Sequence, residues 1–93
     1  MSVVIIGGNE CMECQYKQIC KKYKCKAKVF TRMKGNLKEQ IGKPDLIILF
    51  TGTTAHKMVH CAVKEAQRHD VRVERSHSSS ANALDKILSE CFG

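Results

Sequence analysis

The sequence predicts an α/β domain built on an open, parallel, four-stranded sheet with helices on both faces. Strand-like and helix-like segments alternate along the whole chain in the order βαβαβαβα, and the connections between them are short. The segment 45–50, DLIILF, is almost wholly apolar, which is typical of a strand covered on both faces in the middle of a parallel sheet. A chain of 93 residues is long enough for one domain, which we place at residues 1–93.

The first half of the chain contains two of the strands. Residues 2–6 are apolar and end at a pair of glycines, and residues 26–30 alternate in polarity. Between them, residues 13–23 are predicted to be helical, because apolar side chains recur there at the spacing of one helical face: Tyr16, Ile19, Cys20 and Tyr23. Residues 36–41 predict a short helix that ends before a glycine and a proline.

The second half continues with the strand 45–50 and a helix over residues 55–69. The residues expected to form the buried stripe of this helix are Ala55, Val59, Ala62, Val63 and Ala66. Residues 71–74 predict a fourth strand, and residues 81–91 predict a last helix after a serine-rich, capping segment. The complete order is that of a small Rossmann-like sheet.

In such sheets, ligands bind beyond the carboxyl ends of the strands, near the point where the strand order reverses. Three loops should meet there: GGNECMEC at 7–14, TGTTAH at 51–56 and RSHSSS at 75–80. Helices follow all three, and helix N-termini attract anions. The residues expected to contact an anionic ligand are Gly7, Gly8, Asn9, Thr51, Gly52, Thr53, Thr54, Ser76, His77 and Ser78.

The pair Cys11 and Cys14 is the strongest chemical signal in these loops. Two cysteines separated by two residues are a common half-site for Zn²⁺ or an iron–sulfur cluster, and the sequence does not distinguish the two. Further ligands could come from the helix 55–69. His56 is the best candidate, His60 is placed further out, and Cys61 is expected to point mostly away.

The remaining cysteines are expected elsewhere in the fold, away from these loops. Cys20 lies on the inward face of the first helix, Cys25 at the opposite edge of the sheet and Cys91 near the end of the chain. A thiol–disulfide redox role for the Cys11–Cys14 pair is an alternative. It is disfavoured because the single proline, Pro44, does not occupy the position found in thioredoxin-type proteins.

A nucleotide- or phosphate-binding regulatory domain is the second alternative, based on the three loops that precede helices. Neither a GxGxxG motif nor a P-loop motif occurs in the sequence. The formal charge of +7 is compatible with a nucleic-acid partner, but no nucleic-acid-binding motif supports one. No apolar stretch approaches the roughly 20 residues that span a bilayer, and we expect a cytoplasmic protein without a membrane partner.

The leading hypothesis is a metal- or iron–sulfur-binding protein with a sensing, carrier or electron-transfer role. No nucleophile, base and acid occur together outside the cysteines, which favours a protein that is not an enzyme. We also expect a homodimer. An open sheet leaves two edges unpaired, and two Cys11–Cys14 pairs brought together by a twofold axis would supply four thiolates.

Several segments in order resemble one bacterial family. VVIIGGN, KAKVFT, FTGTTAHKM and HSSS are similar to the DUF2325 family over nearly the whole chain. The resemblance implies a small Rossmann-like α/β domain and no established activity. The positions that match the family pattern are Gly7, Gly8, His56, His77 and Ser78, whereas Cys11 departs from it, since a polar residue stands there in the family.

Overall fold

The computed structural model describes residues 1–31 and 41–92. Its strands are β1 (Ser2–Ile6), β2 (Lys26–Phe30), β3 (Leu46–Phe50) and β4 (Arg72–Ser76). Its helices are α1 (Glu13–Lys22), α2 (His56–His69) and α3 (Ala81–Phe92), and a 3₁₀ helix, Glu10–Met12, precedes α1. The short helix expected at 36–41 lies outside the described residues, apart from Ile41, which is buried.

The four strands form one parallel sheet in the order β2-β1-β3-β4, which confirms the predicted α/β fold. The two central strands are β1 and β3, paired through registers such as Val3 with Leu46. All five residues of β3 are buried, as the apolar run of this segment predicts.

Alternate residues of β3 face opposite sides of the sheet. Leu46, Ile48 and Phe50 pack with α1 and α3, whereas Ile47 and Leu49 pack with α2. This arrangement follows from the direction of the connections. The chain passes outward from β1 to β2 and, in the opposite direction, outward from β3 to β4. Right-handed crossovers therefore place α1 and α2 on opposite faces.

The buried stripe of α2 differs from the predicted one. The structure buries Met58, Ala62, Glu65 and Ala66, while Ala55 is exposed and Val59 and Val63 are half-buried. The buried stripe includes Glu65, a charged residue that is only 5% exposed and lies 3.9 Å from Nη1 of Arg68 and 3.5 Å from Nε2 of His69 on the same helix. This rotation of the stripe turns Cys61 toward the core, where it is half-buried. The expectation that Cys61 points away is wrong.

Candidate functional site

Side-chain and backbone hydrogen bonds join the three loops at the carboxyl edge of the sheet. The backbone N–H of Gly8 donates to Oγ1 of Thr53 at 2.9 Å, which connects the loops that follow the two central strands. The N–H of Thr51 donates to the carbonyl oxygen of Ser76 at 2.8 Å, which connects the second loop to the third. The loops that the topology was expected to bring together are therefore in contact.

Close approaches at two glycines bring the loops together. Gly7 has a φ of +94°, and a Cβ there would lie 1.8 Å from Oγ1 of Thr54. A Cβ on Gly52 would lie 2.4 Å from the carbonyl oxygen of His77, and the ring of His77 is also close. The space above both glycines is thus filled by the chain's own atoms, and a larger residue at either position would push the loops apart.

Tyr16 belongs to the candidate site at the carboxyl edge, although the sequence pattern indicates only a place in the core. Its hydroxyl donates to the carbonyl oxygen of Ser79 at 2.6 Å and accepts from the N–H of Asn9 at 3.3 Å. Its ring packs against Phe50 with the ring centroids 5.4 Å apart. Tyr16 therefore links the first loop to the third. The sequence feature that could have indicated this role is the inward position of Tyr16 in the first turn of α1, next to the carboxyl edge of the sheet.

Many backbone donors in the loops bond within the chain. The N–H groups of Gly7 and Thr53 donate to the carbonyl oxygens of Phe30 and Phe50, in addition to the bonds of Gly8 and Thr51. In the serine run, Oγ of Ser80 accepts from the N–H of Ala83 and caps α3. An anion bound at these donors would have to displace the bonds that they make within the chain.

The Cys pair lies at the start of α1 and is open to solvent. Cys11 belongs to the 3₁₀ helix, where its N–H donates to Oδ1 of Asn9 at 3.0 Å, and Cys14 is in the first turn of α1. All six cysteines are free thiols, but only Cys11 and Cys14 are exposed.

The other cysteines lie in or against the core. Cys20 and Cys25 are buried, and Cys61 and Cys91 are half-buried. Burial, with a smaller contribution from nearby Cys25, raises the pKa of the Cys20 thiol to about 12. Burial also raises the pKa of Cys25 and of Cys91. These three thiols remain protonated at neutral pH, and metals bind the thiolate.

His56, His60 and Cys61 lie apart from the Cys pair, because α2 packs on the opposite face of the sheet from α1. They line an open groove of about 780 Å³ along α2, together with Lys57, Lys64, Glu65 and Arg68. Within residues 1–31 and 41–92, no three histidine, cysteine, aspartate or glutamate side chains are grouped so that they could hold a metal ion. The described part of one chain thus does not assemble the ligand set expected from the sequence.

Comparison with known proteins identifies one family. None of the helices in the described residues is long and apolar enough to cross a membrane. No curated protein and no solved structure shows significant similarity to the chain. The model of one family, described as an uncharacterized protein conserved in bacteria (DUF2325), matches residues 2–91. Since the match covers nearly the whole sequence, this chain belongs to the DUF2325 family.

Proposed function

We propose that this chain is a metal- or iron–sulfur-binding protein with a carrier, sensing or electron-transfer role. In this proposal a homodimer forms the site, and each copy contributes Cys11 and Cys14. The observation that supports it most is that these are the only exposed thiols, three positions apart, with Cys11 in the 3₁₀ helix and Cys14 in the first turn of α1. A metal ion can reach both without any rearrangement of the core.

The other cysteines are poor candidates for the same task. Burial raises the pKa of Cys20, Cys25 and Cys91, so forming their thiolates in the folded chain is unfavourable. Binding a metal there would also require the core between α1 and β2, or the packing of α3, to open. The proposed site therefore uses two of the six cysteines in each chain.

A second copy is proposed because two thiolates are half of a tetrahedral set. Structural Zn²⁺ sites and iron–sulfur clusters use about four protein ligands. A twofold axis close to Cys11 and Cys14 would duplicate the pair and complete the set. The outer strands β2 and β4 each have only one strand neighbour in the described sheet, which also leaves edges for association.

Metal analysis with an ultraviolet–visible spectrum, on protein purified without oxygen, tests the proposal. We expect about one Zn²⁺ or one cluster for every two chains, with a visible absorption band only for a cluster. Cys11→Ser and Cys14→Ser should each lose the metal, because each removes a thiolate from both copies. Cys91→Ser is the matched control and should keep it.

Two outcomes would contradict the proposal. Full metal content in Cys14→Ser would exclude the site, and a metal-free chain with a reversible Cys11–Cys14 disulfide would indicate a redox dithiol instead. His56→Ala distinguishes the four-thiolate site from one that combines thiolates with histidine. The four-thiolate site predicts unchanged metal content in this variant.

A further inference from the structure

The groove along α2 is a second feature with the dimensions of a binding site. Its volume of about 780 Å³ falls in the range of roughly 300–1,000 Å³ that is usual for small-molecule sites. The described residues that line it recur at every third or fourth position of α2 between His56 and Arg68. They therefore form one continuous face of the helix, about 18 Å long at the rise of an α-helix.

The charge of this face is mainly positive. Lys57, Lys64 and Arg68 are basic residues, and His56 and His60 add ring nitrogens between them. Glu65 is the only carboxylate among the described lining residues. It is 5% exposed and lies 3.9 Å from Nη1 of Arg68 and 3.5 Å from Nε2 of His69. Among the described residues of the groove, no other carboxylate is present to neutralise the charge of the two lysines.

This charge decides what kind of ligand the groove can accept. His56, His60 and Cys61 were expected to bind a metal, but a metal cation there would be repelled by the neighbouring lysines. An anion would instead be attracted by them. The N-terminal end of the helix dipole at His56 adds to that attraction, and the N-cap residue Ala55 makes no side-chain capping bond.

We propose that the α2 groove binds a small ligand carrying two or more phosphate groups, of the size of a nucleoside polyphosphate. The cationic and imidazole side chains form two groups along the helix. The first group, near the start of the helix, is His56, Lys57 and His60, and the second is Lys64 and Arg68. Lys57 and Lys64 are seven residues apart, or roughly 10 Å along the helix axis, which places one lysine in each group.

A compact ligand fits the lining better than a nucleic-acid strand does. Proteins that bind single strands combine positive charge with aromatic side chains on which the bases stack. No aromatic residue is among the described residues of the groove. The site also lies on the opposite face of the sheet from α1, the helix that Cys11 precedes and that contains Cys14, so it goes beyond the proposed metal function.

Isothermal titration calorimetry with inorganic tripolyphosphate and with ATP tests this proposal at moderate salt. The double variant Lys57→Ala/Lys64→Ala should weaken binding of both probes about tenfold or more, because each lysine can make a charge-assisted bond to phosphate. The control is Lys21→Ala/Lys86→Ala, which removes the same charge from exposed lysines of α1 and α3. It should change the affinity less than about threefold.

Three results would overturn the proposal. If both double variants weaken the affinity equally, only the net charge of the protein matters. If neither probe binds at millimolar concentration, the site is excluded. A single-stranded oligonucleotide that binds through the same lysines more tightly than tripolyphosphate would identify nucleic acid as the occupant. Cys11→Ser/Cys14→Ser should leave phosphate binding unchanged, so the two proposals can fail independently.

Discussion

The hydroxyl of Thr54 occupies the space where Gly7 would carry a side chain. It donates to the carbonyl oxygen of Phe50 at 2.6 Å and lies 3.1 Å from that of Ile6. A Cβ on Gly7 would be 1.8 Å from this oxygen. The contact joins the loops that follow β1 and β3, which flank the point where the strand order reverses. The geometry of the carboxyl edge therefore depends on the contact between Gly7 and Thr54.

Gly7→Ala should be strongly destabilising. It combines a positive φ of +94° with a steric clash against Thr54. The backbone conformation alone costs about 1–3 kcal/mol for a residue other than glycine, and the clash adds to this. Gly42→Ala is the control, because Gly42 also has a positive φ, +60°, but no atom of the described residues lies within 4 Å of a Cβ there. Urea unfolding of both variants measures the difference.

Thr54→Ala should partly rescue Gly7→Ala, because it removes the hydroxyl that the new methyl group meets. The two changes should therefore be non-additive in a double-mutant cycle. Equal free energies of unfolding for Gly7→Ala and Gly42→Ala would show that the contact with Thr54 has no such effect.

The hydrogen bond between Tyr23 and Asp85 should make stability depend on pH. The tyrosine hydroxyl donates to Oδ1 of Asp85 at 2.5 Å and joins α1 to α3. This hydrogen bond is the main cause that lowers the pKa of Asp85 and raises the pKa of Tyr23. The contribution of Asp85 is then present above about pH 4 and is lost as pH falls through its lowered pKa. The contribution of Tyr23 is present below about pH 10 and is lost as pH rises through its raised pKa.

Tyr23→Phe should therefore lower the free energy of unfolding at pH 7, and its effect should shrink in acid. Denaturant unfolding at pH 7 and near pH 2.5 measures this. Tyr16→Phe is the control, since the Tyr16 hydroxyl donates to a backbone carbonyl that does not titrate in this range. A loss for Tyr23→Phe that is the same at both pH values would contradict the role of the carboxylate.

The six thiols should differ widely in their reactivity. Cys11 and Cys14 are exposed, whereas burial raises the pKa of Cys20 to about 12. Because the thiolate is the reactive form, iodoacetamide at pH 8 should label the first two rapidly in metal-free protein and Cys20 last. Mass spectrometry of peptides at timed intervals measures the order. Rapid labelling of Cys20 in the folded chain would show that the core around α1 opens readily.

The sequence predicted the fold well where packing follows simple periodicity. The expected bounds of β1 and β2 agree with the structure, and the apolar run of β3 correctly indicated a central strand. The edge strand β4 was expected at 71–74 but covers Arg72–Ser76. An edge strand of a small sheet is only partly buried, so β4 contains charged residues and lacks the apolar pattern that predicts a strand.

The candidate site was less predictable. The order of the elements indicated which loops meet, but it could not show that Tyr16 reaches the third loop through Ser79, since that contact depends on tertiary packing. It also could not show that Glu65 is buried beside Arg68 and His69. The position of the buried stripe decides which side chains of α2 line the groove.

Native mass spectrometry of protein purified without oxygen measures whether one metal centre joins two chains. We expect a species of twice the chain mass that carries one Zn²⁺ or one iron–sulfur cluster, together with a metal-free monomer for Cys11→Ser/Cys14→Ser. A single chain that retains its metal, or a metal-bearing dimer of the double variant, would contradict it.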